Sequence, residues 1–148
     1  GTVILSGSIG DGHSVASAIA LGADFAYLGT RFIATEEANA EPEYKKMLEE
    51  SAAQDIVYSS LFTGVLGNYL KPSIKNAGLD PENLPDADKS SMNFGSGGNT
   101  DSKAWKDIWG SGQGIGGIKD SPSVAELVGR IKSEYEEAYN EFKLKTGN

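Results

Sequence analysis

The chain has 148 residues, 39% of them apolar and 23% charged, with no cysteine, one histidine and a formal net charge of -8. It is long enough for one folded domain with its own core, and its acid excess argues against nucleic acid or an anionic membrane as the main partner. The lack of cysteine excludes a disulfide framework, a thiolate zinc site and a cysteine nucleophile and fits a cytoplasmic setting, and no apolar run approaches the ~20 residues of a membrane span.

Gly1-Thr2 leads straight into Val3-Ile4-Leu5, so the sequence opens inside a buried-type strand and is expected to lack an upstream portion. From Thr2 to Ser6 the residues are β-branched or aliphatic, the pattern of a strand covered on both faces in a parallel sheet. Gly7 to Gly12 reads as a turn, with Asp11 a candidate N-cap. A helix is expected from Ser14 to Leu21, stopped by Gly22, and a second strand over Phe25-Ala26-Tyr27-Leu28. The default for such a unit is a parallel, right-handed strand–helix–strand crossover. Pro42 opens another helix near Glu43, and Asp55 to Phe62 is strand-like. Thr63 to Asn99 is rich in turn residues, with a helical pattern around Tyr69 to Asn76, and "NFGSGGNTDS" reads as a mobile loop. Ala104 to Trp109 fits one helical turn or a short strand. After the glycine-dense "GSGQGIGG", Ser121-Pro122 begins a long amphipathic helix with Val124, Leu127, Val128, Ile131, Tyr135, Ala138 and Phe142 at helical spacing. No internal repeat is present.

Both early strands end in small residues, Gly7-Ser8 and Gly29-Thr30. Side by side at one edge of a parallel sheet, these present backbone N–H groups and hydroxyls to which a dianion can bind without a lysine, aided by the following helix N-terminus. In (β/α)8 barrels the loops after the last two strands are the usual phosphate site. Tight turns and close helix–sheet packing account for single glycines equally well, and both readings stand on the residues alone.

"SGSIGDG", followed by "GADFAYLGTRFIATEEANAEPEYK", then "YSSLFTGVLGNYLKPSI", "AGLDPENLP" and "AWKDIWGSGQGIGGI", resembles the nitronate monooxygenase family of 2-nitropropane dioxygenase-like flavoproteins over nearly the whole chain. The resemblance implies an α/β fold, the C-terminal part of a (β/α)8 TIM barrel, comprising its last two βα units with an inserted helical segment. Residues 1–34 would hold the strands and the FMN phosphate site, 35–108 the insertion, and 109–148 the Gly-Gln turn and closing helix. It further implies FMN as cofactor. Gly7 and Ser8 match the family's Gly-Gly at the phosphate, Ser8 being a departure whose hydroxyl can donate to phosphate or crowd it. Tyr27, Leu28, Gly29 and Thr30 match the stretch that lines FMN and caps its phosphate, and Gln113 matches a residue near the flavin. Gly110-Ser111 stands where Ser-Ala is common, and Leu66 where a histidine often stands.

His13 invites the label of catalytic base, but the family's histidine lies in a Gly-His-Arg context outside this segment; His13 is expected at a surface or capping position. "GQGIGG" satisfies G-x-G-x-x-G without the preceding strand or following acid of a dinucleotide site. Glu36-Glu37 are expected to be solvated rather than to form a metal pair. Arg31 pairs either with phosphate or with a structural acid. Phe94, Trp105 and Trp109 are expected to anchor the insertion.

The resemblance thus implies an FMN-dependent oxidoreductase that oxidises alkyl nitronates with oxygen. This chain would supply the phosphate end of the flavin site, without the upstream catalytic histidine, and be inactive alone. The alternatives are a flavin-dependent NAD(P)H:quinone or enoyl-acyl-carrier-protein reductase on the same scaffold, and a non-catalytic phosphate-binding piece of a split barrel. The implied partners are the small-molecule substrate, oxygen and the remainder of the barrel.

Overall fold

The computed structural model describes residues 1–85 and 107–147. Along the chain come β1 (Ile4–Ser6), α1 (Gly12–Ala20), β2 (Phe25–Tyr27), α2 (Thr30–Ile33), α3 (Pro42–Glu50), β3 (Ile56–Ser59), β4 (Gly67–Leu70), α4 (Lys71–Asn76) and α5 (Val124–Thr146), with short 3-10 turns at Ala53–Asp55 and Gln113–Gly117. They fall into two compact units, one of Gly1–Glu50 with Gly114–Asn148 and one of Ser51–Gln113. Among the described residues no helix is long and apolar enough to cross a membrane.

In the first unit β1 and β2 pair in parallel, Ile4 opposite Phe25, Leu5 opposite Ala26 and Ser6 opposite Tyr27, joined through α1. The unit begins as the sequence predicts, with slightly shorter strands. α1 starts two residues earlier than the apolar pattern indicates, because Asp11 and Ser14 form a capping box: Asp11 accepts from the Ser14 N–H at 2.7 Å and the Ser14 hydroxyl oxygen accepts from the Asp11 N–H at 3.1 Å. Gly22 ends the helical run with a left-handed φ of +98°. α1 packs on α5, which opens at its own Ser123–Glu126 capping box. Ala18, Ala34, Leu48, Ile115, Ile118 and Leu127 are buried in this unit.

In the second unit β3 and β4 are antiparallel, Ile56 opposite Leu70 and Ser59 opposite Gly67. Gly110 bridges to Tyr69, where the Leu70 N–H donates to the Trp109 carbonyl at 2.8 Å and the Ser111 N–H to that of Asn68 at 3.2 Å. The segment implied to be helical therefore carries an antiparallel ribbon as well, and the helix expected around Tyr69 to Asn76 is a strand through Leu70 before it is a helix. Pro72 sets that boundary: lacking an N–H, and with a ring that crowds the preceding turn, it is tolerated only in the first turn of α4. Tyr69, Ile74 and Ile108 form the core here, with Val57, Phe62 and Leu84 against them, and the Phe62 and Tyr69 rings meet edge-on at 4.8 Å. Trp109 is half-buried and its backbone N–H donates to the Ser73 hydroxyl at 3.0 Å. The expectations for "NFGSGGNTDS", Phe94 and Trp105 lie outside the described residues.

Candidate functional site

Because β1 and β2 run parallel and in register, Gly7-Ser8 and Leu28-Gly29 leave the sheet at the same edge. Gly7 has φ +95°, which glycine adopts without penalty, so the turn itself accounts for it. Ser8 follows at φ +55° and is the one non-glycine residue at positive φ among the described residues. A side chain in that region costs roughly 1–2 kcal/mol, so the departure from Gly-Gly carries a backbone penalty. Gly114 lies directly against it: a Cβ built there would sit 2.9 Å from the Ser8 Cα and 3.0 Å from its carbonyl carbon. Only glycine permits that approach, which brings the second glycine turn onto the first.

Gly29 differs from Gly7. Its φ of -112° is open to any residue, and a Cβ there would meet nothing within 4 Å. Neither backbone nor packing among the described residues demands glycine at 29, a property it shares with Gly116, Gly117 and Gly129. Thr30, half-buried, opens α2 beside it, Leu28 is half-buried and Tyr27 exposed. Gln113 is exposed at the head of the Gln113–Gly117 turn, next in sequence to Gly114.

The expected help from the helix after Gly7-Ser8 is not available at its first turn. The Gly12 N–H donates to Glu134 Oε2 at 2.8 Å, the Ser14 N–H to Asp11, and the Gly10 and Asp11 N–H groups to the Ser14 hydroxyl oxygen. Two carboxylates occupy that N-terminus. Burial works against the Asp11 charge, but the hydrogen bonds from Ser14, together with the charge and N–H of His13, outweigh it and hold the carboxyl below the usual range.

Arg31 resolves to the structural acid. It is 4% exposed, its Nη2 lies 2.9 Å from Asp120 Oδ1, and its Nη1 donates to the carbonyls of Asp120 at 3.0 Å and Ala34 at 3.2 Å. Arg130 grips the same carboxylate, at 3.0 Å to Oδ1 and 2.7 Å to Oδ2. Hydrogen bonding from Arg130 holds the Asp120 carboxyl below the usual range; burial opposes this, and the charges of Arg130 and Arg31 add to it.

Glu36 and Glu37 are exposed, as expected, and Glu37 has a further role: both its carboxylate oxygens accept from the Val124 N–H, at 3.0 and 2.8 Å, while the Glu36 N–H donates to the Pro122 carbonyl at 3.0 Å. An acid at a helix N-terminus is the favourable placement. That role was hidden in the sequence because 87 positions separate the partners. His13 is exposed near the start of α1, its carbonyl accepting from the Ser17 hydroxyl at 2.9 Å, in line with its expected surface position.

The fold is part of an α/β architecture of the TIM-barrel kind. It is similar to FabK from Thermotoga maritima, with a TM-score of 0.66 and 22% identity over 96% of this chain and 46% of that one. A nitroalkane oxidase from Streptomyces ansochromogenes matches with a TM-score of 0.70 and 26% identity, over 95% of this chain and 41% of that one. The family model for nitronate monooxygenase matches residues 2–134, and the chain belongs to that family. Among curated relatives, a nitronate monooxygenase of Paraburkholderia phytofirmans is 30% identical over 95% of this chain and 40% of its own length. A probable nitronate monooxygenase of Staphylococcus saprophyticus is 32% identical over 42% of this chain and 18% of its own. The chain thus spans less than half the length of the relatives it matches.

Proposed function

We propose that this chain supplies the phosphate-binding edge of an FMN site in an oxidoreductase of the nitronate monooxygenase type, as the last two βα units, the insertion and the closing helix of a (β/α)8 barrel. The observation that carries this reading is Gly29: a glycine that the fold does not require, on open space, at the same sheet edge as Gly7-Ser8. Its N–H, the N–H and hydroxyl of Thr30 and the N–H groups of the Gly7-Ser8 turn would hold the phosphate. Tyr27 and Leu28 would line the cofactor, with Gln113 offering an amide to flavin or substrate. Bound there, FMN would supply the electron transfer by which an alkyl nitronate and oxygen give a carbonyl compound and nitrite. The catalytic base would come from the barrel's other strands, since the chain's one histidine, His13, is exposed at a helix start.

The test is to purify the full-length polypeptide, record its flavin spectrum, identify the released cofactor, and measure oxygen uptake with an alkyl nitronate. Bound FMN and nitronate-dependent oxygen uptake with nitrite release are expected. Flavin-dependent oxidation of NAD(P)H with a quinone or enoyl thioester, and no nitronate turnover, would assign the chain to the reductases on this scaffold. A preparation free of flavin, and without affinity for it, would leave the non-catalytic reading.

A further inference from the structure

We propose that Asp120 is a positioning residue for the Gly29-Thr30 turn, acting through the buried guanidinium of Arg31; this rests on that turn holding the FMN phosphate. α2 is one turn of four residues, too short to keep its shape by its own hydrogen bonds. Arg31 is its second residue, adjacent to Thr30, and both terminal nitrogens of its fork are engaged. One nitrogen meets the Asp120 carboxylate, and the other meets the carbonyl of Asp120 and that of Ala34 just past the end of α2. A planar guanidinium held at two nitrogens fixes direction as well as distance, which a lysine cannot reproduce.

The geometry ties the turn to α5. Arg130, on the first half of α5, takes both oxygens of Asp120, so Arg31 and Arg130 share one carboxylate. Arg31 is thereby committed away from the phosphate. Its part is to set the peptide that carries the Gly29 and Thr30 N–H groups, and without the Asp120 carboxylate the buried cation keeps only carbonyl partners, its charge uncompensated, which favours a shift of the turn.

FMN and riboflavin differ only by the phosphate, so the ratio of their affinities isolates the turn's alignment from general stability. In the full-length polypeptide, both dissociation constants would be measured by flavin fluorescence for wild type, Asp120→Asn, Asp120→Glu, Arg31→Lys and Thr30→Val. Asp120→Asn and Arg31→Lys should lower the FMN preference about tenfold, the scale of one charge-assisted hydrogen bond, with riboflavin affinity near wild type and partial rescue by Asp120→Glu. If Thr30→Val lowers the preference while folded Asp120→Asn and Arg31→Lys do not, the positioning role is wrong and the phosphate site stands. If none of the variants changes it, the phosphate reading itself falls, and the positioning role with it. Equal losses of FMN and riboflavin, or variants that do not fold, would make the pair an element of folding and overturn the inference.

Discussion

A methyl group at residue 12 and one at residue 29 would have opposite consequences. At Gly12 a Cβ would fall on the backbone of α5 at the Ile131 carbonyl and the Tyr135 N–H, and lie 2.6 Å from the Glu134 Cβ. Those atoms belong to a helix backbone and cannot swing aside. Alanine is the better helix former, yet overpacking of this kind costs about 1–3 kcal/mol or more. Gly12→Ala should therefore lower the denaturation midpoint strongly, whereas Gly29→Ala should leave it unchanged and weaken FMN binding; denaturant titrations and flavin titrations of both variants check the contrast. Thr30→Val removes one donor from the proposed phosphate contact, worth roughly 1.5–3 kcal/mol when the acceptor is charged. The FMN dissociation constant should rise about ten- to a hundredfold, and an unchanged value would remove Thr30 from the site. Gly29-Thr30 stood out in the sequence because small residues after a strand point to an exposed backbone. That Gly12 serves helix packing did not, since one of its contacts, Glu134, lies 122 positions away and the others beside it.

Between elements, the beginning of α5 is held to residues 31–49 by several polar links: Asp120 to Arg31, Pro122 to Glu36, Val124 to Glu37, and the Ser121 hydroxyl to Glu49 Oε1 at 2.6 Å. Asp120 makes this junction pH-dependent. Its folded pKa lies below the ordinary 3.8, chiefly through the Arg130 hydrogen bonds, with the charges of Arg130 and Arg31 adding and burial opposing. A carboxyl of lowered folded pKa contributes stability that is present above its unfolded pKa and lost as pH falls through the folded value. Urea midpoints of the full-length polypeptide between about pH 6 and about pH 3 should therefore fall less steeply for Asp120→Asn than for wild type. Parallel acid limbs would show that Asp120 does not carry this dependence. Three helices were legible from their caps and spacing, Asp11 for α1, Pro42 for α3 and the apolar row from Val124 for α5, whereas the single turn of α2 was not. Tyr69-Leu70 were not, because an apolar pair beside a helix start has the same pattern whether it pairs with a strand or extends the helix.

For the molecule as a whole, the apolar surface of the parallel pair is the decisive feature. Val3, Ile4, Phe25 and Tyr27 are 54%, 60%, 60% and 63% exposed, although their pattern is that of strands covered on both faces. Leaving about 300 Å² of apolar area in water forfeits ~7 kcal/mol at ~25 cal/mol per Å², comparable with the whole stability of a typical domain. Unpaired strand edges also recruit other strands. The 148-residue polypeptide expressed alone should therefore self-associate or aggregate, as read by light scattering and size-exclusion chromatography. A monomer with a cooperative melt would count against a barrel completed by other strands.

What the sequence by itself determined is local: two short strands ending in glycine, the caps of α1 and α5, and family motifs specific enough to imply the barrel and its cofactor. The strands and caps follow from propensity, capping and close backbone approach, each of which acts within a few residues, whereas the barrel and its cofactor are implied by the family resemblance alone. The tertiary structure alone decided which charges meet. It chose Asp120 as the partner of Arg31, set the exposed Glu37 at the start of α5, and brought Glu134 to the N-terminus of α1. Ion pairs and hydrogen bonds select partners by distance in space, and the folding of the chain sets that distance.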